Sequence, residues 1–178
     1  MMEPAGPPPL VPVPAARYTR VRGRRVIVGV PGVGFRGDLR ADDPVIQGSR
    51  TFVPVLTEQE YYRAELHHVE VFAILVPVDR VWVEEPAKPT GELLQPLDAP
   101  PVQWARPAAS GEPVLGRRVV RSVPDGFVRD LRAVSGAHTS HTGNTSILVC
   151  AESEWYAWAL DGSTPTTTAV PIQDLWIE

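Results

Sequence analysis

The chain has 178 residues, 43% hydrophobic and 21% charged, with a single cysteine and a formal net charge of −4. That length holds one ordinary domain or two small ones, and the apolar fraction is enough for a packed core. The composition excludes an internal disulfide framework and a multi-cysteine zinc site. No run approaches the roughly 18 apolar residues of a membrane span, and the acidic balance argues against coating nucleic acid by bulk charge. The N-terminus lacks a basic start followed by an apolar stretch, so the expected location is the cytoplasm, without a secretory leader.

In chain order, residues 1–22 carry six prolines, including Pro7-Pro8-Pro9, and predict a loose polyproline-like tail. Residues 23–41 then read GRRVIVGVPGVGFRGDLRA, and residues 116–133 read GRRVVRSVPDGFVRDLRA. With one residue deleted near Gly34, most aligned positions are identical. Downstream, Thr51, Val55, Glu58, Glu60 and Tyr62 fall on Thr145, Val149, Glu152, Glu154 and Tyr156, all at an offset of 94. The ends agree as well, with Val76-Pro77-Val78 and Val81-Trp82-Val83-Glu84 on Val170-Pro171-Ile172 and Leu175-Trp176-Ile177-Glu178. Three blocks in the same order establish an internal duplication of about 62 residues, 23–84 and 116–178.

Each copy reads as short strands with period-2 patterning, punctuated by Pro31-Gly32, Gly37 and Gly48 in one and Pro124-Asp125-Gly126, Gly143 and Asp161-Gly162 in the other. Residues 57–75 are the one serious helix candidate. Their counterpart is stopped by Asp161-Gly162 and crowded with aromatics, so two strands are expected there. These strands would join at His67-His68 in copy one and at Asp161-Gly162 in copy two. A short helical turn at residues 57–60 or 78–80 fits the same pattern.

Five short strands in about 62 residues must close on themselves, because an open sheet that small leaves its edges and one face unprotected. The pattern G-R-R-V-x-V, a Gly-bearing loop, then G-x-L-R-A, two strands and the ending V-P-V-D-R-V-W-V resembles the Src-homology-3-like small barrels of the KOW and Tudor type. The resemblance covers both copies and implies a fold and a habit of binding, with no catalytic residues to carry over. The expected fold is therefore all-β: two duplicated five-stranded Src-homology-3-like barrels joined by a Pro-rich linker. That linker, residues 85–115, holds seven prolines and is either a flexible spacer or an arm lying across a barrel. A flexible spacer rarely carries a tryptophan, which favours an arm docked through Val102 and Trp104, with Trp104→Ala costing about 2 kcal/mol or more.

Catalytic chemistry finds little support. His138 and His141 lie in a Gly/Ser/Thr loop without a clear third ligand, and copy one has Asp42-Asp43-Pro44 at the matching place. Cys150 aligns with Leu56 inside an apolar run and reads as a small core hydrophobe. Glu58 and Glu60, with Glu152 and Glu154, lack a nucleophile, a pocket or oxyanion donors that would make them catalysts. Neither a metal nor a cofactor is expected, and the chain is read as a non-enzyme. Asp38-Leu39-Arg40 and Asp130-Leu131-Arg132 recur, and a cross-strand ion-pair ladder on a solvated face is the expected reason.

The aromatics carry the functional expectation. Tyr61-Tyr62 matches Trp155-Tyr156, and Trp82 matches Trp176. Each of Trp82 and Trp176 is flanked by aliphatic residues that point to the opposite face, so its ring turns away from the side they occupy. A barrel this small has one interior, so some rings must cover an outer surface. They would bind a partner there, or pack against the arm or the other barrel. The partner-binding candidates are Tyr61, Tyr62, Trp82, Trp155, Tyr156, Trp158 and Trp176, with Arg40 and Arg132. Arginine outnumbers lysine sixteen to one, the habit of a G+C-rich genome, and Arg24-Arg25 recurs as Arg117-Arg118. Yet the copies hold 7 basic against 9 acidic residues and 5 against 7. Another protein is thus the expected partner, as for an accessory subunit, adaptor or immunity-type blocker. Nucleic acid is the second choice, and a membrane is not expected.

Overall fold

The computed structural model describes residues 5–89 and 95–178. They form two compact units, Pro9–Gln103 on one hand and Trp104–Glu178 with residues 5–8 on the other. Residues 1–4 of the expected tail and 90–94 of the expected linker lie outside the described residues.

The first unit runs β1 (Leu10–Pro14), a 3-10 turn (Ala15–Arg17), β2 (Arg25–Val30), β3 (Gly34–Ala41), β4 (Val45–Gln47), β5 (Arg50–Thr57), α1 (Glu58–His67), β6 (Ile74–Pro77), a second 3-10 turn (Val78–Arg80) and β7 (Val81–Pro86). All pairings are antiparallel, in the order β1-β7-β2-β3-β5-β4, with β6 also on β5. The second unit repeats the plan with β8 (Arg106–Pro107), a 3-10 turn (Ala108–Ser110), β9 (Arg118–Val123), β10 (Gly126–Ala133), β11 (His138–Thr139), β12 (Thr145–Ala151), α2 (Glu152–Asp161), β13 (Thr168–Pro171), a 3-10 turn (Ile172–Asp174) and β14 (Leu175–Ile177). Its order is β11-β12-β10-β9-β14-β8, with β13 on β12. The registers coincide: Phe52 faces Pro77 and Val53 faces Val76, as Ser146 faces Pro171 and Ile147 faces Val170. The protein is all-β in class, with two duplicated curled antiparallel sheets. Each has seven strands among the described residues, where five were expected.

Alternation along the strands builds each interior. Val26, Leu39, Val53, Val55, Val76, Val81 and Val83 close on one another in the first repeat. Val119, Ile147, Val149, Val170, Leu175 and Ile177 do so in the second. Every 3-10 turn follows a proline (Pro14, Pro77, Pro107, Pro171). Proline lacks the N–H needed to extend a ladder and fixes φ, so the strand stops there and the chain turns inward.

Two expectations are corrected. The two strands proposed for residues 57–75 and their counterpart are one helix each. Thr57 caps α1: its Oγ1 accepts from the Glu60 N–H at 3.2 Å, and Glu60 Oε2 accepts from the Thr57 N–H at 3.2 Å. This T-x-x-E capping box is a helix-start signal, and Asp161-Gly162 is a helix stop rather than a hairpin turn. Gly162 sits at φ +77 and donates its N–H to the Trp158 carbonyl at 3.0 Å.

The second correction concerns the tail and the linker. Residues 10–22 are a strand and a 3-10 turn: β1 pairs along β7 from Leu10–Pro86 to Pro14–Trp82. Residues 106–114 do the same for the second repeat, where β8 pairs with Trp176 and Ile177. Pro14-Ala15-Ala16, Val21 and Gly23 correspond to Pro107-Ala108-Ala109, Val114 and Gly116 at an offset of 93. Ala15, Val21, Ala108 and Val114 are all buried. The repeat therefore begins before its obvious Gly-Arg-Arg start. Trp104 is not the docking residue, because it is 63% exposed. Backbone docks that segment instead, with Leu10 and Gln103 exchanging N–H···O bonds of 2.9 and 3.0 Å.

Candidate interaction surface

The strongest polar feature common to both repeats is internal. Glu58, the first residue of α1, is buried, and its Oε1 lies 3.5 Å from Arg25 Nε and 3.6 Å from Arg40 Nε. Arg40 also donates to the Gly23 carbonyl at 2.8 Å and to Tyr62 Oη at 3.2 Å. The second repeat matches this group by group. Glu152 Oε1 is 3.7 Å from Arg118 Nε and 3.0 Å from Arg132 Nε. Arg132 donates to the Gly116 carbonyl at 3.0 Å and to Tyr156 Oη at 3.2 Å. A carboxylate this deep is tolerable only when paired, and two guanidiniums on one carboxylate satisfy it while pinning the helix to the sheet. Arg40, Arg132, Tyr62 and Tyr156 thus belong to this clamp.

The recurring Asp-Leu-Arg is accounted for at the same place: its arginines pair with the helix carboxylate, and its aspartates take a special backbone position. Between the paired positions, Gly37 and Asp38 of β3 oppose the single Ile27 of β2, and Arg129 and Asp130 of β10 oppose Val120 of β9 in the same bulge. Asp38 at φ 55 and Asp130 at φ 59 occupy the left-handed position the bulge needs, which Asp tolerates better than most residues. The bulge turns the following leucine toward the interior and the arginine toward the helix.

The remaining aromatics divide. Tyr61 lies over Gly23 so closely that a Cβ there would sit 2.9 Å from its Oη; Trp155 covers Gly116 more loosely, 3.6 Å from where a Cβ would sit. Burial, and then Glu65, push the Tyr61 phenol up from its ordinary value. Trp82 is buried off the interior, edge-on to Phe35 with centroids 5.7 Å apart. Trp176 is half-buried, donates from Nε1 to Ser122 Oγ at 3.1 Å, and lies under Gly6. Trp158 is 44% exposed, edge-on to Trp155 at 5.7 Å. Of the sequence candidates, Arg40, Tyr61 and Tyr62 come together in the first repeat, with the guanidinium 5.6 Å from each ring centroid, and Arg132 lies as close over Tyr156 in the second.

At one end of the first barrel, a half-open cavity of about 380 Å³ is lined by Val28, Leu39, Val55, Ile74 and Leu75, with Arg36, Glu60 and Arg80 among its polar residues. Glu60 is already engaged by Thr57. Neither the Arg36 nor the Arg80 side chain has an ion-pair or hydrogen-bond partner among the described residues. Apolar exposure extends over this repeat: Phe72 is 92%, Ile46 77% and Ile74 68% exposed. No protein-family model, curated protein or solved structure matches the chain. The second repeat is therefore the natural comparison for the first. In place of Ile46, Phe52, Phe72, Ile74 and Leu75 it has Thr139, Ser146, Thr166, Thr168 and Ala169. The cross-strand pair Val28–Arg36 becomes Arg121–Val128, and Arg80 becomes Asp174.

Elsewhere, Cys150 is buried, and burial followed by Glu154 pushes its thiol up, the opposite of an activated nucleophile. Among the described residues no three His, Cys, Asp or Glu side chains are grouped to hold a metal, and no helix is long and apolar enough to cross a membrane. Sequence reasoning missed the cavity because its walls come from β2, β3, β5 and β6. The available signal was the divergence of the two copies at residues 72–75.

Proposed function

We propose that the chain is a non-enzymatic interaction protein, a pair of tandem small barrels of the Src-homology-3-like kind whose first copy meets another protein in the cytoplasm. The observation that carries this reading is the contrast between two copies built on one plan. Residues that hold the fold (Gly23, Arg25, Arg40, Glu58, Tyr62) have identical counterparts, whereas Ile46, Phe72 and Ile74 give way to threonines. Large apolar side chains left in water at a site where the same fold manages with threonine mark a partner surface. A cross-linking residue placed at Phe72 of the full chain should capture one partner at fixed stoichiometry from native cytosol, while the same residue at Thr166 should not. Equal capture at both positions would overturn the reading. Mobility shift on mixed DNA and RNA at low salt should be absent; a shift that fades steeply with salt would favour a nucleic-acid module instead.

A further inference from the structure

We propose that the cavity at the end of the first barrel receives an acidic-apolar segment of that protein partner. A large aliphatic or aromatic side chain enters the cavity, and a neighbouring carboxylate is held by Arg36 and Arg80. The inference rests on the protein-interaction reading and specifies the chemistry of its partner.

Three observations converge on the same place. The first is volume: about 380 Å³ corresponds to on the order of a dozen water-sized atoms, which is room for one large side chain with part of its backbone. The second is wall chemistry. Val28, Leu39, Val55, Ile74 and Leu75 offer hydrocarbon, and Ile74 is 68% exposed, so an apolar visitor would remove surface from water on both sides. The third is charge. Arg36 and Arg80 line this cavity with no partner among the described residues, in a chain where Arg24, Arg25, Arg40, Arg118 and Arg132 are all paired with carboxylates.

Glu60 is the acidic residue among the lining residues and is committed to the helix cap, so the mouth carries a net positive charge. At the corresponding positions of the second repeat, Arg121 stands with Glu154 and Asp174, and the balance is negative. A carboxylate is thus favoured at the first mouth and disfavoured at the second, which makes the two copies distinguishable to one ligand.

The test is selection of a random heptapeptide library displayed on phage against the immobilised full chain. Enriched peptides should carry a large apolar residue within two positions of an Asp or Glu. Their affinity should fall at least tenfold in Arg36→Glu and in Arg80→Glu, and should weaken as salt rises. Both arginines are surface groups outside the clamp, so an unchanged melting temperature is expected of the variants. Ile74→Thr, which installs the residue the second repeat already carries, should also lose at least tenfold and gives a second variant the fold accommodates. Failure to enrich any peptide, enrichment of peptides without an acid, or affinity within threefold of the parent in both arginine variants would each overturn the proposal. If that happens while the Phe72 cross-linker still captures a stoichiometric partner, the mouth is the wrong surface and the interaction reading stands. If the cross-linker also captures nothing, both readings fall together.

Discussion

At the scale of single residues, the chemistry of the chain is the chemistry of its buried charges. Removing Glu58 leaves Arg25 and Arg40 facing one another in an interior with no carboxylate between them. Loss of one partner from a buried ion group costs about 3–5 kcal/mol, far more than loss of an exposed pair. Glu58→Gln, which keeps the shape, should therefore lower the unfolding free energy by that amount, read as a lower urea midpoint at an unchanged denaturant slope, and Glu152→Gln should do the same for the second repeat. A shift below about 1 kcal/mol in both variants would show that the clamp adds nothing. Tyr18 offers a pH readout. Burial and the hydrogen bond to Glu85 raise its phenol from 10.0 to about 12. The folded state thus holds the proton more tightly than the unfolded chain. The contribution is complete below about pH 10 and is lost as pH climbs through about 12. Tyr18→Phe should flatten that alkaline fall in melting temperature while leaving the neutral-pH slope as it was.

At the scale of elements, the sequence was most legible where the duplication could be read twice and least legible where a local motif had to be weighed against composition. The duplicated sheet and its turns follow from alternation and repeat alignment. The helices were missed because Tyr61-Tyr62 and Trp155-Tyr156 favour strands by propensity. The tertiary clamp to Glu58 and Glu152, which commits those residues to a helix, is invisible in a linear pattern. The capping box was nonetheless present as Thr57-x-x-Glu60. Thr57→Ala should cost about 1 kcal/mol, measured by urea unfolding, and the second repeat should be insensitive at the same place because it already has Ala151. The first strand of each repeat was hidden by proline, which reads as linker in bulk composition but is tolerated along an edge strand such as β1. Trp104 drew attention for its size, yet backbone pairing at Gln103 does the docking. Trp104→Ala should accordingly shift stability by no more than about 0.5 kcal/mol.

At the scale of the whole molecule, the N-terminal residues have a role that their composition conceals. Residues 5–8 precede the first repeat in sequence but belong by contact to the unit of Trp104–Glu178. Arg129 donates from its second guanidinium nitrogen to the Pro8 carbonyl at 2.7 Å and pairs through the first with Glu178, the last residue of the chain. Gly6 sits so close to the Trp176 ring that a Cβ would lie 2.9 Å from it, leaving room for glycine alone. A cover of that kind removes an indole face from water and fixes the ring whose Nε1–H is held by Ser122. Removing the first eight residues should therefore uncover Trp176 without touching the clamp of Arg118, Glu152 and Arg132. The indole N–H of Trp176 should then exchange faster with water and shift in the amide spectrum, and backbone protection should fall along β9 and β14. The Trp82 indole, edge-on to Phe35 in the other unit, should keep its shift. Gly6→Val should reproduce the Trp176 changes in the full-length chain, because the added branches cannot fit beneath the ring. An unchanged Trp176 indole in both variants would mean that the ring is held by β9 and β14 alone and that the N-terminal residues are no part of the second fold.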